Sequence, residues 1–298
     1  MRVAVLGLGR MGVPIAHRLR AAGHELSVWN RSPGACAPFT DSGVPALERP
    51  ADAWQQADVA ITMLADDEAV NAVTLGSGGL LSGAVPAGRV LADMSTISPP
   101  ASARIAQAAD DARVGYLRAP VSGNPSVVAA GNLGIIVSGE PDTYERLRPM
   151  LADIGPRIFY LGDGEQARVA KLALNLMIGG TTQLLAEALV LGERSGIARA
   201  ELLEVIAGSA IGSPYVDYKR QALSDGDFRS TFTARLLHKD LTLALAVGHD
   251  ASVPLPATAL VTQLVQSVIA QGWGELDLAA LIPALERAAG GEPQMRAW

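Results

Sequence analysis

The first thirty residues narrow the fold more than any other stretch of this 298-residue chain. A short apolar run, Val3 to Leu6, passes directly into Gly7, Gly9 and Gly12, spaced G-x-G-x-x-G. The segment VPIAHRLRAAGHELSVWNRS that follows reads as a helix, a break at Gly23 and a second strand ending at Asn30-Arg31-Ser32. Strand, glycine turn, helix and strand in this order is the context in which such a glycine pattern binds a dinucleotide. Gly7 permits the tight turn, Gly9 lets the backbone approach a pyrophosphate, and Gly12 lets the helix lie close to the strand. The free N–H groups and positive dipole end of the helix then face the anion. Leu8, Arg10 and Met11, between the glycines, belong to the same expected cradle.

The end of the second strand selects the cofactor. Sites that prefer NAD place Asp or Glu about 20 residues past the glycines, where it accepts hydrogen bonds from the ribose hydroxyls. Here that place holds Trp29-Asn30-Arg31-Ser32, without a carboxylate. Asn30 and Ser32 offer donors, and the guanidinium of Arg31 suits a phosphate. The expected cofactor is NADP, with NADPH preferred over NADH.

Composition excludes several other classes. The formal charge of -6, with no dense Lys/Arg run, argues against a nucleic-acid partner. Cys36 is the only cysteine, so neither an intramolecular disulfide nor a thiolate metal cluster is expected. His17, His24, His238 and His249 lie far apart and show no metal-ligand spacing, so no metal site is expected. Met1 runs straight into the first strand, so no cleavable signal peptide is expected. The longest charge-free apolar stretch, Leu172 to Ala186, is short and interrupted by Thr181, Thr182 and Gln183; it reads as a buried helix, not a membrane span. The expected location is the cytoplasm, with no membrane partner.

Along residues 1–162 strand and helix patterns alternate. ADVAITML (57–64), GRVLADMS (88–95), VGYLRAPV (114–121), LGIIVSG (133–139) and RIFYLG (157–162) read as further strands. An α/β domain with a doubly wound sheet is expected there. Residues 163–298 carry helical periodicity throughout, beginning with about thirty helix-compatible residues that end at Gly196. These form an all-helical second domain, joined to the first by the long helix. Ligands of open α/β sheets sit beyond the carboxyl ends of the strands, so the active site is expected where those loops meet this helix.

Met63 and Leu64 end one strand and Ser95-Thr96 follow another, so they are expected to line the cofactor groove, Thr96 near the nicotinamide. Lys171 and Asn175 are i and i+4 and project from one helix face. A lysine on an otherwise apolar helix is costly to bury unless it has a partner or a task, and carbonyl reduction requires a proton for the oxygen that becomes negative. Ser122 and Gly123 follow a strand, where backbone N–H groups and the Ser122 hydroxyl suit a substrate carboxylate.

Taken in order, GLGRMG, DMSTISP (93–99), APVSG (119–123), KLALN (171–175) and KDL (239–241) resemble the β-hydroxyacid dehydrogenase family end to end. That family includes 3-hydroxyisobutyrate dehydrogenase, tartronate semialdehyde reductase and the glyoxylate/succinic semialdehyde reductases. The resemblance implies a Rossmann domain followed by a helical domain of the 6-phosphogluconate dehydrogenase type. It implies Lys171 as the acid/base group, Asn175 orienting the substrate or the lysine, Ser122 and Gly123 at the substrate, and Lys239 close to cofactor and substrate. It also implies a homodimer or homotetramer. The substrate loop departs from the family pattern at Arg118, Asn124 and Val128, which bears on which acid is used; Asn124 is read as a donor and acceptor in the pocket. The expected activity is NADPH-dependent hydride transfer between nicotinamide and a small carboxylate-bearing aldehyde or ketone, or its β- or γ-hydroxy acid. An imine reductase and a non-catalytic NADPH-binding module are the alternatives.

Overall fold

A computed structural model describes residues 1–296; the last two residues of the helical domain expected to run to 298 lie outside the described residues. The chain divides into two units, residues 1–172 and 173 onward.

In the first unit, strand β1 (Arg2–Leu6) leads into helix α1 (Gly12–Ala21) and β2 (Glu25–Trp29), followed by two single-turn helices, α2 (Ala37–Thr40) and α3 (Ala53–Gln56). Then come β3 (Val59–Thr62), α4 (Asp67–Thr74), β4 (Val90–Asp93), α5 (Pro99–Asp111) and β5 (Gly115–Arg118). The unit continues through β6 (Val121–Ser122), α6 (Pro125–Ala129), β7 (Gly134–Gly139), α7 (Pro141–Ile154), β8 (Arg157–Tyr160) and the start of α8 (Gln166–Arg194). The strands form one sheet in which β2, β1, β3, β4 and β5 lie side by side and parallel. Side chains alternate between its faces. Val3 and Val5 enter a core with Ile15, Leu19 and Leu147, whereas Ala4 and Leu6 join Trp54, Leu91 and Ile105. Both faces are therefore covered, as a parallel sheet requires.

Two strands depart from the parallel expectation, because β8 pairs parallel with β7 and shares its reversed direction. β7 runs antiparallel to β5 and β6, and those two share a single register across Pro120: Leu117 faces Gly139, Arg118 faces Ser138, Val121 faces Ile135 and Ser122 faces Gly134. Between Ser122 and Gly134 the chain has only the five-residue α6, too little to cross back to the far end of the sheet. It returns from the end it left by, which reverses the strand. The residues read as one strand over 114–121 thus span β5 and β6, with Pro120 contributing its carbonyl to Ile136 but no N–H.

The boundary between the units falls within α8, a continuous helix of 29 residues. The second unit carries the rest of α8 and α9 (Arg199–Ala207), α10 (Pro214–Ser224), α11 (Ala234–Asp250), α12 (Pro256–Val268) and α13 (Leu281–Ala288). Its core is built from Leu185, Leu189, Leu203, Phe228, Leu237, Leu241 and Val265, among others. By length and composition α8 alone among the described helices is long and apolar enough to cross a membrane, and 44% of that apolar window is buried within the fold. The apolar stretch read as Leu172–Ala186 is thus part of a longer helix, of which Leu185, Ala186, Leu189 and Val190 belong to the core of the second unit.

Candidate active site

The glycine turn sits at the carboxyl end of β1, and two of its glycines are required by the fold itself. Gly7 has φ 104°, and a Cβ there would lie 2.3 Å from the Met63 carbonyl oxygen. A Cβ on Gly12 would lie 1.8 Å from the Gly7 carbonyl, so α1 packs backbone to backbone on the turn. Gly9 differs: a Cβ there would meet no protein atom within 4 Å. Packing does not demand a glycine at this position, and the open approach to its backbone fits a pyrophosphate at the start of α1. Leu8 is buried, Gly9 and Arg10 are exposed, and Met11 is half-buried. When bound, a nicotinamide dinucleotide would supply the hydride chemistry.

At the end of β2, Asn30 makes two internal bonds, which leave one N–H of its amide over. Its Oδ1 accepts a hydrogen bond from the Leu8 N–H at 2.9 Å, and its Nδ2 donates to the Ser32 carbonyl at 3.1 Å. Asn30 therefore ties the glycine turn to the loop after β2. Arg31 and Ser32 are exposed beside it, and among the described residues Arg31 makes no ion pair. Its guanidinium is available to an anion in a way that a paired arginine is not.

The neighbouring strand ends are stitched together by named bonds. Met63 N–H donates to the Leu6 carbonyl at 2.9 Å, and Leu64 N–H donates to Ser95 Oγ at 2.9 Å. Asp93, fully buried at the end of β4, accepts from Thr62 Oγ1 at 2.8 Å and from Ser95 N–H at 3.0 Å. Its other oxygen lies 2.6 Å from Nη2 of Arg168, which is buried in the first turn of α8. Arg168 Nη1 donates to the Ser95 carbonyl at 2.7 Å. Glycine turn, Met63-Leu64, Ser95-Thr96 and the base of α8 are thus one connected structure. Thr96 and Lys171 are half-buried, Lys171 being three residues beyond Arg168 on the same helix.

Ser122 ends β6, beyond the carboxyl end of β5, with Gly123 exposed behind it. The loop departures acquire specific places. Arg118 is buried and paired inside the fold: Nε donates to Glu165 Oε1 at 2.7 Å, Nη2 lies 2.5 Å from the same oxygen, and the guanidinium stacks 4.9 Å from the Tyr116 ring centroid. Asn124, read as a pocket donor and acceptor, is the N-cap of α6; its Oδ1 accepts from Val127 N–H at 3.0 Å and from the Ser126 hydroxyl at 2.7 Å. Val128 is fully buried. The first two departures are accounted for by internal bonds and the third by core packing.

In the second unit, Asn175 is buried and its Nδ2 donates to Asp240 Oδ2 at 2.5 Å. A carboxylate accepts only, so the bond fixes which way the amide faces. Among the described residues the Asn175 Oδ1 is buried without a hydrogen bond, an acceptor suited to a hydroxyl or ammonium. Lys239 Nζ lies 3.0 Å from Asp240 Oδ1, so one carboxylate serves both residues. Sequence reasoning passed over Asp93, Asp240 and Arg168. The first two lie inside the quoted DMSTISP and KDL motifs, and Arg168 is a charge on the stripe of α8 that leads to Asn175; each was legible as a position but not as a contact.

Residues 2–162 match the NAD binding domain of 6-phosphogluconate dehydrogenase, and residues 165–285 match the NAD-binding region of NADP-dependent 3-hydroxyisobutyrate dehydrogenase. The chain is 34% identical over 291 residues to 2-(hydroxymethyl)glutarate dehydrogenase of Eubacterium barkeri, covering 97% of this chain and 96% of that protein. Among solved structures it is similar to Mycobacterium tuberculosis 3-hydroxyisobutyrate dehydrogenase with L-serine, with TM-score 0.85, 28% identity, and 95% and 98% of the two chains covered. It is likewise similar to Psf3 in complex with NADP+ and 2-OPP, with TM-score 0.87, 26% identity, and 95% and 99% covered. Two successive domain matches in the order of the two units, with relatives aligned over nearly their whole length, fix the assignment. The chain belongs to the β-hydroxyacid dehydrogenase family of NAD(P)-dependent oxidoreductases.

Proposed function

We propose that this enzyme uses NADPH to interconvert a small carboxylate-bearing aldehyde or ketone with its β- or γ-hydroxy acid, and that Lys171 exchanges the proton. The supporting observation is the bonded path from the glycine turn through Leu64, Ser95 and Arg168 to the helix turn that carries Lys171. In the reductive direction the ammonium of Lys171 gives a proton to the oxygen that becomes negative; in the oxidative direction the neutral amine takes it back. The Asn175 carbonyl oxygen, its amide turned by Asp240, orients the lysine or the substrate hydroxyl. Ser122 and the Gly123 N–H hold the substrate carboxylate. Both 3-hydroxyisobutyrate and 2-(hydroxymethyl)glutarate, named in two relatives, carry a hydroxymethyl group beside the carboxylate-bearing carbon. That chemistry supports a β-hydroxy acid for this chain too.

The NADPH preference rests on the exposed Arg31, which makes no ion pair among the described residues, and on the absence of an acidic residue at the end of β2. A panel of semialdehydes and hydroxy acids assayed with both nicotinamides tests the reading. Arg31→Asp should raise KM for NADPH about tenfold or more, the loss of one charge-assisted hydrogen bond, and leave KM for NADH little changed. An unchanged KM for NADPH would remove the assignment. A homodimer or homotetramer is also proposed, because α8 exposes Met177, Leu184 and Leu191 at seven-residue spacing; sedimentation of the purified chain tests it. A cytoplasmic location is proposed on the single cysteine, Cys36, which is buried and free.

A further inference from the structure

Arg168 has a side chain that is 0% exposed, and every N–H of its guanidinium is used. Nε donates to Ser102 Oγ at 3.2 Å; Nη1 donates to the carbonyls of Ser95 at 2.7 Å and Asp93 at 3.4 Å; Nη2 donates to Asp93 Oδ2 at 2.6 Å and to Tyr116 Oη at 2.9 Å. The acceptors come from β4, the loop after it, α5 and β5. A buried ion pair adds little stability over a well-packed apolar group of the same volume, because desolvating the charges offsets their attraction. A fully satisfied planar fork does add orientation.

The residues bound by Arg168 are those that set the geometry of the cofactor side. Ser95 Oγ holds the Leu64 N–H beside the glycine turn, and Asp93 is itself fixed by Thr62. A second tie, Arg118 to Glu165, holds the residue immediately before α8, and Arg118 stacks on the ring whose hydroxyl Arg168 binds. The first turn of α8 is therefore held from two sides. A helix is stiff over one turn, so whatever fixes Arg168 also fixes Lys171 three residues on.

We propose that Arg168 is a positioning residue for the reaction: its guanidinium locks the first turn of α8 to the β4 end and so sets the distance and angle of the Lys171 amine to the carbonyl being reduced. The inference rests on the proposed role of Lys171. Misplacement of a reacting group by about 1 Å costs on the order of 10²-fold in rate, whereas the glycine turn that holds the cofactor would keep its own bonds.

The test is a double-mutant cycle of Arg168→Met with Lys171→Ala, read as the single-turnover rate of hydride transfer, with the cofactor Kd measured on each protein. In the wild-type background, Arg168→Met should slow hydride transfer about 10²-fold with Kd for NADPH within about twofold. In the Lys171→Ala background it should cause no further loss, since residues acting as a unit are non-additive. Equal loss in both backgrounds, no loss in either, or a loss that follows Kd overturns the proposal. Asp93→Asn combined with Arg168→Met removes both buried charges and repeats the cycle without an unpaired carboxylate. If neither form folds and binds NADPH, Arg168 serves stability alone and the proposal also fails. Failure of the underlying reading shows separately, as a Lys171→Ala protein that transfers hydride at the wild-type rate.

Discussion

The glycines of the first turn separate two demands that the motif merges. Gly7 and Gly12 sit where a methyl group would strike backbone carbonyl oxygens, while Gly9 has open space before it. Gly9→Ala should therefore leave thermal stability nearly unchanged and weaken NADPH binding. Gly12→Ala should do both, lowering stability by about 1–3 kcal/mol as α1 is forced away from the turn. Fluorescence titration with NADPH beside a thermal melt distinguishes the two. Tyr116 supplies the pH dependence at this scale. Burial is the main cause that lifts its phenol above the ordinary value of 10.0, with Asp93 adding to it and Arg168 and Ser102 opposing it. A phenol that is harder to ionise when folded contributes fully below about pH 10, and stability falls as pH rises from there toward the folded value. Tyr116→Phe should cost about 1–3 kcal/mol near neutrality, because Arg168 loses an acceptor. It should also flatten the alkaline limb of the urea midpoint above about pH 10. Tyr215 and Tyr218, also raised by burial, keep the limb from vanishing.

At the scale of elements, caps and breaks place the loops at the strand ends. Ser98 accepts from the Ala101 N–H at 3.1 Å to start α5 and donates to Asp67 Oδ2 at 2.5 Å, joining the starts of α4 and α5 just past Thr96. Ser98→Ala should destabilise the protein by about 1–2 kcal/mol, read from denaturant unfolding, and a change under about 0.3 kcal/mol would show that the cap carries no weight. The strands and helices were largely legible because each is a local property: β1, β3, β4 and β7 are short apolar runs bounded by turn residues, and α5 and α8 keep a helical period. The reversal of β7 was not legible. It depends on how far the five residues of α6 can carry the chain, and apolar runs read alike in either direction. Asn124 and Arg118 show the same limit at the loop. Their polarity was visible, but a cap and an internal ion pair are made with partners that spacing alone does not reveal.

For the whole molecule, the sequence carried the cofactor half well and the support of the lysine poorly. Glycine spacing encodes the turn directly, whereas the link from Arg168 to Asp93 joins residues 75 positions apart and exists only once the sheet has formed. Buried polar pairs thus stand out in a largely apolar protein: Arg168 with Asp93 in the first unit, Asn175 with Asp240 in the second. The central claim is that this framework presents the amine of Lys171 to a carbonyl beside reduced nicotinamide. Its most direct test is the single-turnover rate of hydride transfer in Lys171→Ala, measured with NADPH saturation verified on the same protein. The account expects a fall of about 10²–10⁴-fold with cofactor affinity intact. A rate close to that of the unaltered enzyme would contradict it.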